Sequence, residues 1–291
     1  MEQICKLCPR MCKINRAKAC GFCGATQNMI VAHVSLHFGE EPCISGKCGS
    51  GTIFFSHCNL KCIFCQNEIL RDGKIGKEIS PKYLASIFKR LEKMGAHNIN
   101  LVSGMHYANK IIEALKIYKP KVPIVWNTNS YETPVVIQEL SNYVDIFLAD
   151  LKFCSDELSL KLAKCSNYFD VATQAIKTMR ECIPTDVFNK NGIMQKGVII
   201  RHLCLPNNTK DSKNIIDYIS ANFPTTIISL MSQYTPFGRA KEMPELARKL
   251  KPIEYNSVLH YLEQKHKGTI YAQELDSATE TQIPTWDITT V

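Results

Sequence analysis

Residues 51–67 read Gly51-Thr52-Ile53-Phe54-Phe55-Ser56-His57-Cys58-Asn59-Leu60-Lys61-Cys62-Ile63-Phe64-Cys65-Gln66-Asn67. Thr52 to Phe55 is β-branched and aromatic, the composition of a buried strand. That strand runs directly into Cys-x3-Cys-x2-Cys, so three thiols converge on one compact loop at its carboxyl end. Three cysteines suit a [4Fe–4S] cluster that leaves one iron open to a ligand that is not protein. A structural zinc site normally takes four ligands, arranged as two pairs.

Working outward, strand and helix alternate. Pro81 opens a helix to about Met94, with Leu84, Ile87, Phe88 and Leu91 at helical spacing. Residues 98–102, 122–126 and 144–148 read as strands, with helices over 108–118 and 134–140 between them. A longer helix reaches about Arg180, before a strand over 197–203. Helix 212–221, strand 226–230 and helix 253–264 complete six β/α units, and 269–272 offers a seventh strand. Such repeats predict an α/β fold with a parallel sheet and right-handed crossovers. Six units fall short of the eight that close a barrel, so the expected architecture is an open, partial (β/α)6 barrel with its site at the carboxyl ends of the strands. Residues 1–50 lack the alternation and read as a Cys-rich extension. Residues 51–275 form the barrel, and 276–291 a tail.

At 291 residues, with 45% hydrophobic content, the chain has ample material for a core. No apolar run approaches the roughly 18–20 residues of a membrane helix. The start, Met1-Glu2-Gln3-Ile4-Cys5-Lys6, has no apolar segment of a secretory signal, so a cytoplasmic location is expected. The net charge of +8 is spread without a tight basic block, which disfavours nucleic acid and suits an acidic electron donor such as flavodoxin or ferredoxin. Ten of the fourteen cysteines fall within the first 65 residues, and in a reducing compartment such clustering means metal rather than disulfides. Cys154, Cys165, Cys182 and Cys204 are scattered singly and read as small buried hydrophobes.

Cys58-x3-Cys62-x2-Cys65, with Phe64 before the last Cys, resembles the signature of radical S-adenosylmethionine (SAM) enzymes. The stretches Gly49 to Asn67, Gly95 to Val102, Asp150-Leu151-Lys152, Ile200-Arg201-His202-Leu203 and Met231 to Pro236 are similar to the branch related to the pyruvate formate-lyase activating enzyme. The resemblance covers roughly residues 5–275. It implies an oxidoreductase in which SAM chelates the open iron and one electron cleaves it to methionine and a 5′-deoxyadenosyl radical that abstracts hydrogen. A glycyl radical enzyme is one implied protein substrate; a small molecule or peptide is the alternative.

The resemblance also assigns positions. Ser103, in Leu101-Val102-Ser103-Gly104, stands where the family has an acidic motif for the SAM amine, and Ser103-Gly104 equally reads as a plain turn. Asn127 replaces an Asp that helps bind a monovalent cation, whereas Asp150 is retained. Asn129 lies at the rim for the methionine or ribose. Lys152 is expected to meet the SAM carboxylate and Asp150 an ammonium or cation, with a surface ion pair as the plainer reading. Arg201 and His202 close their strand where they reach ribose or substrate, and His57, His106 and Gln233 are further rim candidates.

The extension carries Cys5-x2-Cys8-Pro9-Arg10-x-Cys12 and then Cys20-x2-Cys23. So short a segment cannot bury a core of its own, and two close groups of thiols suggest a knuckle closed by metal. The family branch has a similar start, which matches Cys5, Cys8, Cys12 and Cys23 and leaves Cys20 spare. Zinc and an auxiliary iron–sulfur cluster both suit these thiols. Cys43 and Cys48 are weaker contributors. A zinc-only module binding nucleic acid or another partner, without affinity for SAM, is the competing function of another class.

Overall fold

The computed structural model describes residues 4–275 and 286–291. Its elements run β1 (Met29–His37), α1 (Pro42–Ser45), β2 (Ser50–Phe55), α2 (Glu68–Arg71), β3 (Lys77–Ile79), α3 (Pro81–Lys93), β4 (Ile99–Val102), α4 (Ala108–Ile117) and β5 (Ile124–Thr128). There follow α5 (Pro134–Leu140), β6 (Ile146–Asp150), α6 (Asp156–Ala163), α7 (Tyr168–Cys182), β7 (Val187–Phe188), β8 (Met194–Leu203), α8 (Thr209–Asn222), β9 (Ile227–Met231), α9 (Pro252–Lys265) and β10 (Ile270–Ala272).

One sheet carries the strands in the order β10-β9-β8-β6-β5-β4-β2-β1-β3. From β2 to β10 every neighbouring pair is parallel, including the late strand, where Tyr271 lies opposite Ser229. β10 and β3 end the path without pairing, so the barrel stays open. The strands are continuous apolar runs because helices cover one face and the barrel interior the other. β2, β4, β5, β6 and β9 are buried at every residue. α3 lays Leu84, Ile87, Phe88 and Leu91 against that sheet, and it starts where the Ser80 hydroxyl accepts the Tyr83 N–H at 3.2 Å.

Four features depart from the sequence reading. The extension is not free of the alternating body: β1 pairs antiparallel with β2, Val34 opposite Ile53. Residues 31–34 are buried in a run, so the middle of the strand carries no alternation to read. The single helix expected up to Arg180 is two, because Lys164 adopts the left-handed region at φ 54° and caps α6 through an N–H bond to the Leu160 carbonyl. β5 and β6 run two residues beyond the expected ends, taking Asn127, Thr128 and Asp150 into the ladder. Residues 276–285 of the expected tail lie outside the described residues, but its last six pack on β1 and β2. There the Val34 N–H donates to Thr290 Oγ1 at 3.1 Å, and the Trp286 ring meets Phe54 edge-on at 5.1 Å.

No helix among the described residues is long and apolar enough to cross a membrane.

Candidate active site

The carboxyl ends of the parallel strands converge on a cleft of about 230 Å³. That is several times the ~30 Å³ share of one water in the liquid, so the cleft admits a ligand. The backbone turns into the left-handed region just after three successive strands: at His57 (φ 76°) after β2, at Ser103 (φ 57°) after β4 and at Ser130 (φ 61°) after β5. Non-glycine residues held there store strain, which concentrates at functional rims.

Cys58, Cys62 and Cys65 all line the cleft. Their loop is pinned from several sides. The Ile63 N–H bonds the Leu162 carbonyl at 2.9 Å, and Asn59 Nδ2 donates to the Tyr131 carbonyl at 2.7 Å. Asn129 Nδ2 donates to Asn59 Oδ1 at 2.8 Å and approaches Cys58 Sγ at 3.4 Å. Burial pushes the Cys62 thiol up to about 12 and the Cys65 thiol up to about 11, each raised further by its cysteine neighbours. Without iron these thiols are neutral, and metal must displace their protons. Among the described residues no three His, Cys, Asp or Glu side chains are gathered closely enough to ligate one ion. Three thiols on one loop, with the cleft open above them, are the donor set that would hold a four-iron cluster and leave one iron free for a ligand that is not protein.

Phe64 packs its ring against Phe153 and Tyr234, with centroids 6.2 and 6.0 Å away, and walls the loop from below. Ser103 lines the cleft, held by a 2.9 Å bond from its N–H to the Asn127 carbonyl. Beside it Gly104 has no room for a side chain, since a Cβ would stand 2.7 Å from Ile111 Cδ1.

Across the cleft lies a chain of charges. Lys152 Nζ donates to Asp150 Oδ2 at 2.6 Å, and Arg201 Nε to Asp150 Oδ1 at 2.8 Å. Arg201 Nη1 meets Glu40 Oε2 at 3.0 Å, and Nη2 meets Asn127 Oδ1 at 2.6 Å. Alternation along the extended chain puts Asp150 and Lys152 on one side, as expected. Burial alone would raise the Asp150 carboxyl; Arg201, then Lys152, hold it below the usual carboxylate range instead. Burial likewise opposes the charge on Lys152, and the Asp150 carboxylate beside it outweighs that cost, so its pKa is raised. The ion pair is therefore no loose surface contact.

His202 is not part of this assembly. Because Arg201 faces the cleft, the next residue points to the opposite face of β8. There its Nδ1 contacts the Leu151 carbonyl at 2.8 Å and its Nε2 the Ser212 hydroxyl at 2.9 Å. The expectation that His202 reaches a ligand is corrected on that ground. His106 is buried behind the rim, its Nε2 at 2.7 Å from the Ser56 carbonyl, and burial lowers it to about 3, so its ring stays neutral. Gln233 does line the cleft.

Sequence reasoning missed Glu40, which sits between β1 and α1 outside every motif. It accepts from Asn100 at 2.9 Å and from Asn127 at 3.1 Å besides its pairing with Arg201. The signal was indirect: a buried strand-end arginine beside one aspartate and one lysine needs a second carboxylate to be neutralised. Glu132 was also missed. It is buried beneath β5, where it accepts from Trp126 Nε1 at 2.9 Å and from the Thr128 hydroxyl.

The amino-terminal cysteines divide. Cys5, Cys8, Cys12 and Cys23 surround a separate gap of about 10 Å³ together with Arg10, Arg16 and His106. Cys20 is exposed and absent from it, as is exposed Cys48, while Cys43 is buried in a different apolar cluster. Of the scattered four, Cys165 and Cys204 are buried and Cys154 and Cys182 partly so.

Comparison with known proteins bears on the fold and the family. The chain is 32% identical over 277 residues to the uncharacterized protein MJ0674 of Methanocaldococcus jannaschii, covering 92% of this chain and 76% of that one. Among solved structures, a crystal structure of HydG, a maturase of the [FeFe]-hydrogenase, aligns with a TM-score of 0.50 at 10% identity, over 73% of this chain and 48% of that one. HydG from Carboxydothermus hydrogenoformans aligns at 0.49 and 14% identity, over 79% and 55%. The chain thus spans about half the length of these HydG proteins, and the likeness to the crystal structure that aligns at 0.50 concerns the fold alone. The family model of the radical SAM superfamily matches residues 52–219, from β2 through α8, and the chain belongs to that superfamily.

Proposed function

We propose that Cys58, Cys62 and Cys65 hold a [4Fe–4S] cluster and that the cleft above them binds SAM for reductive cleavage and hydrogen abstraction. The observation that carries this is the shared cleft: three thiols at the end of β2, facing Lys152, Asp150 and Asn129 from the ends of the next strands. When bound, the cluster supplies one electron to the SAM sulfonium, releasing methionine and a 5′-deoxyadenosyl radical. The chain's own residues do the rest. Lys152 would hold the SAM carboxylate by a charge-assisted hydrogen bond, and Asp150, kept ionised by Arg201, would face the ammonium. Asn129 would fix the loop and meet the ribose or methionine. Asn127 and Ser103 would line the amine side through amide and backbone groups. Phe64, Phe153 and Tyr234 exclude water beneath the loop.

The electron donor in this reading is a flavodoxin or ferredoxin of a reducing cytoplasm, drawn by the chain's +8 charge. The hydrogen donor in the activase reading is a backbone glycine of a glycyl radical enzyme, which rests on the resemblance to the pyruvate formate-lyase activating enzyme. Asn127 replaces the cation-binding acid of that enzyme, and here it is already committed to Arg201 and Glu40. The test is anaerobic incubation of the reconstituted chain with SAM and dithionite. Release of 5′-deoxyadenosine, lost in the Cys58, Cys62, Cys65→Ala variant, supports the reading; equal release from the variant overturns it. A glycine-centred radical doublet on an added glycyl radical enzyme supports the activase assignment. Turnover with no such signal moves the substrate to the small-molecule or peptide class.

A further inference from the structure

The amino-terminal extension packs on the outer side of the cluster loop, and its charge is one-sided. Between residues 4 and 38 the chain has Lys6, Arg10, Lys13, Arg16 and Lys18 but no Asp or Glu, so this stretch alone supplies five of the eight net positive charges. No two of the five are adjacent in sequence; the fold draws them together. The Cys5 N–H donates to the Ile14 carbonyl at 2.8 Å and the Lys13 N–H to the Cys5 carbonyl at 3.1 Å, which sets Lys13 beside the Cys5–Lys6 segment. Lys6, Lys13 and Lys18 are exposed. Two large apolar side chains of the same segment are also left in water, Met11 at 47% and Phe22 at 36% exposure. Exposed apolar groups rimmed by charge are the composition of an interaction surface.

This surface leads directly to the cluster loop. The Arg10 guanidinium lies 3.8 Å over the Phe22 ring, and its Nε donates to the Asn59 carbonyl at 3.1 Å. One side chain therefore separates an exposed ring from the backbone beside Cys58. Lys61, within the loop, reaches the Cys23 carbonyl at 3.5 Å. The other flank of the loop is different. There Ile63 bonds to Leu162 and Ala240, and the nearby cations are matched by acids, Lys161 by Glu245 at 2.8 Å and Arg239 by Glu242 at 3.8 Å. The inner side is the cleft proposed for SAM.

We propose that the face carrying Lys6, Met11, Lys13 and Phe22 docks an acidic flavodoxin-class carrier, and that the electron for the cluster enters through it. This rests on the assignment of the cluster to Cys58, Cys62 and Cys65. Charge selects the face, because an acidic carrier is steered to the one-sided basic surface and not to the mixed flank. The apolar residues select the carrier. Lysines alone would serve any acidic protein, whereas Phe22 and Met11 offer aromatic and thioether contact to the exposed, apolar edge of a flavin. One electron passes from the reduced flavin, which is oxidised, to the cluster, which is reduced; no bond is made or broken.

The test is stopped-flow reduction of the anaerobically reconstituted chain by a reduced acidic flavodoxin without SAM, followed by bleaching of the iron–sulfur absorption. The Lys6→Glu, Lys13→Glu variant is expected to be reduced about ten-fold more slowly at low salt. Its rate should also depend less on ionic strength between about 50 and 300 mM. Phe22→Ser should slow reduction and keep the salt dependence, and Lys161→Glu on the other flank should leave the rate unchanged. All three variants are expected to keep the parent's iron content and to bleach with dithionite, which separates docking from folding. Should a variant lose iron, the unmodified chain still decides, since its rate must fall as salt rises. A salt-independent rate in the parent, equal rates for parent and double variant, or a larger loss from Lys161→Glu overturns the proposal. Faster reduction by an acidic ferredoxin of matched charge and potential overturns the flavin carrier. A parent that dithionite itself does not bleach overturns the cluster assignment beneath the proposal, an outcome that involves no carrier.

Discussion

Replacing Arg201 with Gln removes the hub of the charge chain while keeping a polar side chain of similar reach. Glu40, Asp150, Arg201 and Lys152 sum to zero, and the substitution leaves the group at −1. The side chains of Arg201 and Glu40 are each only 11% exposed, so solvent screens the residual charge poorly. Asp150 keeps Lys152 at 2.6 Å, but Glu40 keeps only the amides of Asn100 and Asn127. Breaking a buried pair by removing one partner costs about 3–5 kcal/mol. Because one of the two carboxylates stays paired, the lower end is expected, about 3 kcal/mol. For a chain of this size that corresponds to a fall in Tm of about 6–12 °C. Anaerobic thermal and urea denaturation, followed by circular dichroism, reads it. The Glu40→Gln, Arg201→Gln double variant is expected to lose at least about 0.5 kcal/mol less than the sum of the singles, since it strands no charge at Glu40. The pH course is fixed by Asp150. Its folded pKa lies below its unfolded value, so the stability it contributes is present above about pH 4 and is lost as pH falls through the folded pKa. The advantage of the parent over Arg201→Gln should therefore shrink on acidification below that point. A loss under about 1 kcal/mol, or additivity of the two singles within ~0.3 kcal/mol, would refute the network as described.

Three further outcomes are expected. Lys152→Met should keep the iron content and weaken SAM binding about ten- to a hundred-fold, the worth of one hydrogen bond to a charged group, read from the cluster's spectral shift; unchanged affinity would return Lys152 to a purely structural partner of Asp150. Gly104→Ala should destabilise by about 1–3 kcal/mol, because the new methyl meets Ile111 and the Trp126 ring in a packed layer; a neutral result in urea denaturation contradicts that packing. Burial holds the Glu132 carboxyl at about 7, above its unfolded value, so its favourable contribution is full below about pH 4.5 and lost as pH rises through 7. Glu132→Gln should abolish that loss, gaining on the order of 3 kcal/mol over the parent across this range, and a parallel pH profile for the two proteins would contradict it.

The parallel strands were legible because each is a buried apolar run bounded by turns, and the cluster loop because its cysteines follow the first of them directly. β1 was not, since its burial on both faces erases the period of two that marks a half-exposed strand. The division between α6 and α7 turns on a left-handed lysine, a conformation that propensity does not announce in a lysine. Within the site, Lys152 and Asp150 could be placed together by alternation alone. The same rule applied to Arg201 and His202 shows that only one of two adjacent strand residues can face the cleft, but sequence does not say which. Glu40 was hidden because its role is to neutralise charges that come from strands more than a hundred residues away. The selection of Cys5, Cys8, Cys12 and Cys23 over Cys20 followed the resemblance, not a pattern in the sequence that separates Cys20 from the rest; the same four thiols line one small gap and Cys20 is exposed outside it.

The most direct measurement is electron–nuclear coupling in the dithionite-reduced chain with SAM labelled by nitrogen-15 in the amine and oxygen-17 in the carboxylate. The account requires both labels to couple to the cluster on Cys58, Cys62 and Cys65, which means amine and carboxylate bound at its open iron. It also requires both couplings to vanish in the variant lacking those three cysteines. A reduced cluster insensitive to both labels, or couplings that persist without the three thiols, would contradict it.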